Sequence, residues 1–414
     1  MNRTQVASQV EPLNDSICTV SLALEAGSPA ANGRVLRIGI DTLFEHPGQP
    51  SSAIDYLKNL VDYLPRAGSR HSFFVFVSPR NRTHFQKLGT NVQLVNCLAS
   101  NENVPLRIAI QQSILPLRAR RAALDVLFSP GNVCPLWGSF RRVLKINTLH
   151  HYTVPELVGR TRSLYRRAAF AQSARRADHI IANTVATKDD ICKWIGVPDQ
   201  KISVVSEASY DFYRIAPANE IRALCARYSI CDRYILFVSN LYPYKNVETL
   251  IRAFAKLKAD GLDQYELVIA GRDCNSYQAQ LEALATTLNV ATKVHFLGFV
   301  PPSDLPALYS GARVFVYPSI METFGKPLVE AMNCGAPVVA ANTSSIPEVL
   351  GNAGILVPPH AVDEMAMSIH QAAANENLRA DLIQKGLERA RNFSWQSSAL
   401  GTLRVIERTT YQVT

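Results

Sequence analysis

Short runs of apolar residues alternate with longer, predicted helical stretches along most of the chain, beginning near residue 35. Apolar runs of roughly four to eight residues between helical stretches are typical of strands buried in a parallel sheet. A first series of such strands is predicted at 35–40, 73–77, 92–96, 125–128, 143–147, 179–182 and 202–205. The pattern therefore indicates a parallel sheet covered by helices.

A polar segment at 206–232 separates this series from a second one. The second series of strands is predicted at 234–238, 266–270, 294–297, 313–317 and 337–341. With 414 residues, 47% of them hydrophobic, the chain suits two domains of roughly 170 to 200 residues better than one. We place the boundary near residue 208, which predicts domains at 34–208 and 209–390.

Residues 1–33 scatter Asn, Ser, Gly and Pro among short apolar pieces, without the basic start and unbroken apolar core of a signal peptide. We predict a loose N-terminal tail there. No run approaches the roughly 18 apolar residues of a membrane span. The eight cysteines are dispersed without a Cys-x-x-Cys pair, which favours a reducing cytoplasm over a disulfide framework or a zinc site.

The net charge of +9 is concentrated in the first predicted domain, where residues 34–205 contain 24 Lys and Arg against 11 Asp and Glu. The excess gathers at 118–121, 141–142, 160–167 and 175–176. A basic run is often only a solvated helix face, but an excess confined to one domain favours an anionic partner.

Membrane phospholipid or a polyprenyl-pyrophosphate acceptor fits this charge, because each basic residue near an anionic surface contributes about 1 kcal/mol. Nucleic acid is the competing partner. The sequence has no helix-turn-helix, zinc-finger or RNA-recognition signature, so we expect no nucleic-acid partner.

Two carboxylates, Glu322 and Glu330, lie eight residues apart across the start of a predicted helix. A loop extends from Pro318 to Gly325, and Pro327 fits the first helical position, where its missing N–H costs nothing. The amides at this helix start would point outward with the positive end of the helix dipole. Such an arrangement is ready to receive a phosphate.

A pair of glutamates picked at random from a sequence is more often two solvated surface charges than part of a functional site. Here a Gly-Lys-Pro helix start, a Pro-Val-Val strand after a Cys-Gly turn, and the segments 345–349 and 354–358 form a long ordered constellation. With these neighbours, the segment closely resembles the retaining nucleotide-sugar glycosyltransferases of family four, whose donor site carries two Glu separated by seven residues. The resemblance covers about 35–405 and is strongest from 234 to 358.

The resemblance implies the GT-B architecture, with two facing Rossmann-like domains and a donor cleft between them. It implies that the second domain binds the nucleotide sugar and that 391–414 crosses back to the first domain. The donor-binding residues that it implies are Phe324, Gly325, Lys326, Pro327, Leu328 and Glu330. Glu322 would hold and orient the sugar as a catalytic residue, and Glu330 would bind the ribose hydroxyls.

Lys245 ends a short loop after the strand at 234–238, where ligands of open α/β sheets bind. In similar enzymes the corresponding lysine meets the donor diphosphate, and an arginine often stands where this chain has Asn240. Lys326 could supply part of that missing charge. Arg272 follows the predicted strand at 266–270, and His295 lies within the one at 294–297. We interpret both as part of the sheet scaffold and not of the site.

His150 and His151 end a predicted strand and resemble a His-Asp pair of the family. We expect His150 to contact the donor sugar, whereas His151 stands where relatives carry a carboxylate, which an imidazole cannot replace at pH 7. Thr184 is interpreted as a helix cap. Only Gly48 remains of the glycine-rich loop that shapes the acceptor side in relatives.

The resemblance implies transfer of a hexose from a nucleoside diphosphate with retention of configuration. The sequence has no Asp-x-Asp triplet, so we expect no metal and no cofactor beyond the substrate. Two carboxylates also suggest a retaining hydrolase, but the phosphate-type helix start argues against it. Whether Glu322 is a covalent nucleophile stays open.

Mannose from GDP-mannose is the leading donor by overall similarity, followed by UDP-linked hexoses. The expected acceptor is lipid-linked or an oligosaccharide, at the inner face of the cytoplasmic membrane. The rival hypotheses are a sugar-nucleotide epimerase, a non-catalytic sugar-nucleotide sensor and a nucleic-acid-binding protein.

Overall fold

The computed structural model describes residues 34–44, 52–85, 88–97, 104–155, 159–259, 264–274 and 276–411. Within these residues the chain forms two parallel sheets, one of seven strands and one of six. Both sheets are covered by helices, as the alternation of apolar runs and helical stretches predicts.

The first sheet has the strand order β3-β2-β1-β4-β5-β6-β7. Its strands are β1 (Arg37–Asp41), β2 (Ser72–Val77), β3 (Val92–Asn96), β4 (Val126–Ser129), β5 (Arg141–Ile146), β6 (His179–Ala182) and β7 (Ile202–Val204). The helices of this part are α1 (Ser52–Ala67), α2 (Val104–Arg121), α3 (His150–Thr153), α4 (Arg160–Arg176) and α5 (Val185–Ile195). Every predicted strand of the first series is present, and no strand end differs from the prediction by more than two residues.

The second sheet has the strand order β10-β9-β8-β11-β12-β13. Its strands are β8 (Tyr234–Val238), β9 (Glu266–Ala270), β10 (Val294–Gly298), β11 (Val314–Tyr317), β12 (Val338–Ala341) and β13 (Gly354–Val357). The strand β13 adds an edge that the predicted series did not contain.

One helix precedes the first strand of the second sheet, and the others lie between its strands or follow the last one. They are α6 (Ala218–Tyr228), α7 (Val247–Ala259), α8 (Tyr277–Thr287), α9 (Leu305–Gly311), α10 (Lys326–Asn333), α11 (Ile346–Leu350), α12 (Val362–Ala374) and α13 (Glu376–Ala390). The buried faces of these helices and strands form one continuous apolar core.

In each sheet the strand order reverses once, between β1 and β4 and between β8 and β11. Ligands of open parallel sheets bind beyond the carboxyl ends of the strands at such a reversal. The loops that follow β8 and β11 therefore meet at the place where a ligand of the second sheet would bind.

The last helix, α14 (Trp395–Tyr411), lies against the first sheet and not the second. Trp395 and Leu403 belong to the apolar core that contains Tyr56 and Leu60 of α1. The Trp395 and Tyr56 rings lie 5.6 Å apart. The chain therefore passes between the two sheets twice, once after β7 and once before α14, while the boundaries at 208 and 390 stay predictions.

A helix that crosses a membrane needs both sufficient length and an apolar character, and the helices of the described residues can be judged on these two requirements. None of them meets both requirements.

Candidate active site

Two loops at the strand-order reversal of the second sheet bring the candidate charges together. A 3-10 turn, Pro243–Lys245, follows β8 and places Lys245 at its end. The loop after β11 carries Glu322. Although the two residues lie 77 positions apart in the sequence, their side chains form an ion pair because β8 and β11 are neighbours.

The ion pair is nearly sealed from solvent and includes a third group, the Tyr317 hydroxyl. Lys245 Nζ donates to Glu322 Oε1 and lies 3.2 Å from Tyr317 Oη, which itself donates to Glu322 Oε1 at 2.7 Å. The Lys245 and Glu322 side chains are only 8% and 11% exposed. A charge this deeply buried needs a partner, so Glu322 is the counter-charge of Lys245 in this structure.

Side chains at the start of α11 hold the backbone of Glu322. The Glu322 N–H donates to Ser344 Oγ at 3.1 Å, and its carbonyl accepts from the hydroxyls of Ser344 and Ser345. Thr343 Oγ1 donates to the carbonyl of Ile320 at 3.1 Å. These bonds show that the turn at 343–345, which leads into the segment at 345–349, positions the Glu322 loop.

The helix α10 begins directly after this loop, with Gly325 as its N-cap at a positive φ of 84° and without a side-chain cap. Phe324 is buried, with its ring 5.6 Å from that of Phe393, and Leu328 is fully buried. The backbone N–H groups of Phe324 and Gly325 form no hydrogen bond within the described residues. The side chains of this segment thus serve the core, and its amides are the groups that could meet a phosphate.

Lys326 and Pro327 are the first two residues of α10, and the Lys326 side chain turns toward the connections between the two sheets. Its Nζ lies 3.4 Å from Glu207 Oε2 and 5.9 Å from the centre of the Trp395 ring. Glu207 follows β7, and Trp395 begins α14. Lys326 would have to leave this ion pair before it could supply the positive charge that is missing at Asn240.

Glu207 also pairs with the fully buried Lys145 of β5, at 3.3 Å. Burial, only partly offset by Glu207, lowers the pKa of Lys145 to about 8. Burial also opposes the ionisation of Glu207, but Lys145 and Lys326 outweigh it and lower the pKa of that carboxyl. We call Lys145, Glu207 and Lys326 the hinge triad, because its central residue, Glu207, lies just after β7, where the chain leaves the first sheet.

The two histidines at the start of α3 have different surroundings. The His150 ring lies 5.5 Å from the ring of Tyr244, the neighbour of Lys245. Burial lowers the pKa of His150, Glu322 opposes this shift, and Lys245 and Arg166 add to it, so the ring is neutral at pH 7. Of the two, His150 is the one that lies beside Tyr244, next to the Lys245–Glu322 pair.

His151 is buried between the rings of Tyr152 and Phe170, each 4.5 Å away. Its Nε2 atom is buried without a hydrogen-bond partner among the described residues. Burial, with smaller contributions from Arg166 and Arg167, lowers its pKa to about 4. His151 is therefore a neutral packing residue and does not replace a catalytic carboxylate.

Thr184 caps α5, as predicted, and also contacts the other half of the molecule. The hydroxyls of Thr184 and Thr187 both donate to the carbonyl of Thr323 at 3.1 Å. From the second half, Glu348 accepts the N–H groups of Val185 and Ala186 at 2.8 and 3.3 Å. These bonds tie the first turn of α5 to the residue after Glu322 and to α11, a role that the sequence did not predict.

The remaining candidates lie around this centre. Glu330 accepts a hydrogen bond of 2.9 Å from the buried Tyr309 hydroxyl, so its contact with a ribose stays a prediction. The side chain of Asn240 accepts the N–H of Arg272, whose guanidinium lies over an exposed ring. His295 lies 3.2 Å from Glu266 and away from the Lys245 pair. Gly48 lies outside the described residues.

In the described part of the chain, no three His, Cys, Asp or Glu side chains are placed to hold a metal ion.

Comparisons with known proteins agree on one family. Residues 55–208 match the family described as Glycosyltransferase Family 4, and residues 231–389 match that described as Glycosyl transferases group 1. The O-antigen chain mannosyltransferase B of Escherichia coli is 31% identical over 268 residues, which cover 64% of this chain and 69% of that protein.

A serotype-specific mannosyltransferase WbdA of Escherichia coli is also 31% identical, over 54% of this chain but only 28% of that longer protein. Among solved structures, Anabaena Alr3699/HepE in complex with UDP and glucose matches with a TM-score of 0.70 and 20% identity. The match covers 90% of this chain and 100% of the HepE chain.

Proposed function

The chain belongs to the group 1 glycosyltransferases and has their GT-B fold, and on that premise we propose that it is a retaining hexosyltransferase. The proposed donor is GDP-mannose, and the proposed acceptor is a growing saccharide or a lipid-linked intermediate of polysaccharide biosynthesis. The observation that carries this proposal is the sealed Lys245–Glu322 pair beyond the carboxyl ends of β8 and β11.

The choice of donor is supported by the relatives, since both Escherichia coli proteins are mannosyltransferases. A UDP-linked hexose is the alternative, because the similar HepE structure contains UDP and glucose. The experiment that tests the proposal therefore compares donors that differ in the nucleotide base and in the sugar.

The leaving diphosphate is the group whose negative charge grows during transfer. Lys245 lies at the strand ends, and the amides of Phe324 and Gly325 lie at the start of α10. Preorganised donors of this kind stabilise a developing charge without reorganising during the reaction, which is often worth several kcal/mol. Since these groups are available to neutralise the diphosphate, we expect the reaction to proceed without a metal.

The sugar would be held between Glu322 and His150. When Lys245 shifts its interaction to the diphosphate, the Glu322 carboxylate is freed to accept hydrogen bonds from sugar hydroxyls. Neutral His150, facing the same space from the first half, can donate one bond and accept another. The bonds from Thr184 and Thr187 to Thr323 keep the two halves aligned at this point.

The basic first half supports an anionic surface as the working environment, which we place at the inner face of the cytoplasmic membrane. A catalytically inactive sugar-nucleotide-binding protein is the alternative from another class. It would bind a nucleotide without consuming the sugar donor, so turnover separates the two functions.

Purified protein should be incubated with GDP-mannose, UDP-glucose or UDP-galactose and with a mannose-terminated oligosaccharide acceptor. We expect GDP release that depends on the acceptor, and an α-linked product from the α-linked donor by NMR. Lys245→Met and Glu322→Gln should each reduce kcat/KM by at least about 100-fold, since such electrostatic groups contribute several kcal/mol.

Lys256→Met is the matched control, because Lys256 is an exposed lysine of α7 whose ion-pair partner among the described residues is the exposed Asp363. This variant should keep the activity of the unmodified enzyme. A β-linked product would contradict retention. Nucleotide binding without turnover of any of the three donors would favour the inactive binding protein.

A further inference from the structure

One buried side chain beside the proposed donor site has no role in the proposed donor chemistry. Tyr317, the last residue of β11, is 1% exposed. Its hydroxyl donates to Glu322 Oε1 at 2.7 Å and lies 3.2 Å from Lys245 Nζ. Tyr317 is not among the site residues that the family resemblance implies, so its role has to be inferred from these contacts.

The Tyr317 hydroxyl is one of two groups that hold the Glu322 carboxylate. In the part of the chain that the structure describes, this carboxylate accepts hydrogen bonds from Lys245 and from Tyr317, and no third donor reaches it. The Glu322 side chain is only 11% exposed, so water can replace a lost donor only in part. Loss of either donor therefore leaves a nearly buried charge with too few hydrogen bonds.

The proposed reaction removes one of these two donors. When Lys245 turns to the diphosphate, its charge no longer faces Glu322. Lys326 does not take its place, because its Nζ is paired with Glu207 at 3.4 Å. The His150 ring is neutral at pH 7 and supplies no positive charge. Of the two donors to the Glu322 carboxylate, only Tyr317 then remains.

The Tyr317 hydroxyl keeps both its proton and its place. Burial, followed by the charge of Glu322, raises the pKa of Tyr317 well above its usual value, so the hydroxyl stays a donor at neutral pH. Its backbone pairs with Ala340 of β12, and its ring lies 5.8 Å from that of Phe315. Lys245, in contrast, carries its charge on a flexible four-carbon chain at the end of a short turn. Lys245 can therefore move while Tyr317 stays.

We propose that Tyr317 is a positioning residue whose hydroxyl holds the Glu322 carboxylate in place once Lys245 has turned to the donor diphosphate. This charge-assisted hydrogen bond occupies Oε1 of Glu322 and leaves Oε2 to accept from a sugar hydroxyl. The inference rests on the proposed function, because it concerns the same donor site.

Binding of GDP, measured by calorimetry, tests this role without a need for turnover. GDP contains the diphosphate but no sugar, so no sugar hydroxyl can replace a lost donor to Glu322. Tyr317→Phe removes only the hydroxyl and should raise the Kd for GDP on the order of tenfold, as loss of a hydrogen bond to a charged group does. UDP is the probe if the wild type binds UDP and not GDP.

A second background shows whether Tyr317 acts through the charge of Glu322. In Glu322→Gln the side chain is neutral and Lys245 has no counter-charge to leave, so we expect GDP to bind at least as tightly as in the wild type. Adding Tyr317→Phe to Glu322→Gln should then change the Kd by less than about twofold. A residue that only packs the core would lose the same factor in both backgrounds.

Tyr234→Phe is the matched control for the loss of a buried hydroxyl. Tyr234 is fully buried, and its hydroxyl donates to the carbonyl of Leu308 at 2.7 Å. It begins β8, the neighbour of β11, whereas Lys245 lies beyond the other end of β8. The control should therefore leave the Kd for GDP unchanged.

Equal losses of GDP affinity from Tyr317→Phe in the two backgrounds, or no loss in the wild-type background, would overturn the inference. Weaker GDP binding by Glu322→Gln would overturn it as well, because Glu322 would then assist binding. These failures differ from failure of the proposed function, which shows as an absence of donor turnover by a protein that binds the nucleotide. A wild type that binds neither GDP nor UDP would overturn both.

Discussion

Replacing Glu207 with Gln removes the negative charge that lies between the two lysines of the hinge triad. Lys145 is 1% exposed and Lys326 is 16% exposed, so the charge of Lys145 is left almost completely buried. We expect a lower free energy of unfolding, because a buried ammonium group without a counter-charge is unfavourable.

The magnitude follows from the pKa of Lys145. Removing one partner of a buried ion pair ordinarily costs about 3 to 5 kcal/mol. Here Lys145 can lose its proton, and since its pKa is already about 8, deprotonation at pH 7 costs only about 1.4 kcal/mol. Loss of the partly exposed pair with Lys326 adds about 1 kcal/mol or less. The substitution also removes the cost of burying the Glu207 carboxylate, which offsets part of the total loss. The expected loss is about 1 to 2 kcal/mol.

The loss should depend on pH. The pKa of Lys145 is about 8 in the folded protein and near 10.5 when unfolded, so the unfolded chain binds more protons and stability rises with pH between these values. At pH 9 Lys145 is largely neutral even with Glu207 present, and the cost of Glu207→Gln should fall below about 1 kcal/mol.

Urea unfolding at pH 7 and pH 9, followed by far-UV circular dichroism, measures these differences. Glu207→Gln should cost less in a Lys145→Met background, where no buried ammonium remains, and this double-mutant cycle isolates the pair. A loss above about 3 kcal/mol that is equal at both pH values and in both backgrounds would refute the reasoning.

Three further predictions concern single positions. His151→Gln should lose less stability than the wild type between pH 7 and pH 4.5 in urea titrations. The pKa of His151 is about 4 when folded and 6.5 when unfolded, so protonation of the unfolded chain removes up to about 3 kcal/mol as pH falls. Gly325→Ala should weaken nucleotide binding by calorimetry and cost about 1 to 2 kcal/mol in urea unfolding, because φ is 84° and the added Cβ would lie 3.1 Å from Leu328 Cδ1. Glu348→Ala should lower unfolding stability by about 1 kcal/mol because two amides of α5 lose their acceptor, whereas the exposed Glu364→Ala should not.

The sheets were predictable because strands buried on both faces leave continuous apolar runs. The strand at β12 is Val-Val-Ala-Ala and that at β8 is Tyr-Ile-Leu-Phe-Val, both fully buried. The strand β13, Gly354–Val357, is only partly buried along most of its length and begins at a glycine. Its apolar run was recognised as part of the motif but not as an edge strand.

Lys245 and Glu322 were each predicted as site residues, but their direct pairing was not. That pairing depends on β8 and β11 being neighbours, which strand order decides and local sequence does not. Glu207 and Thr184 were missed as interdomain residues for the same reason. Glu207 lies 62 positions from Lys145, and only the folded chain brings Thr184 to Thr323.

The two adjacent histidines show a second limit of prediction from sequence, which concerns neighbouring residues and not distant ones. The position of His151 next to His150 indicates a site residue, but a helix turns adjacent side chains about 100° apart. One ring therefore faces Tyr244 while the other is packed against Phe170. A pattern of adjacent histidines cannot decide which ring points inward until the helix is placed on the sheet.

Thermal unfolding with GDP, UDP or ADP tests the central claim most directly, because a ligand that binds the native state raises stability by RT ln(1 + [L]/Kd). The account predicts that one of these nucleotides, GDP first, raises Tm in the wild type and in Lys256→Met but not in Lys245→Met. At a ligand concentration 100 times Kd the stabilisation is about 2.7 kcal/mol, which is readily detected. No shift with any nucleotide, or an equal shift in Lys245→Met, would contradict the assignment of a donor site to the strand ends of the second sheet.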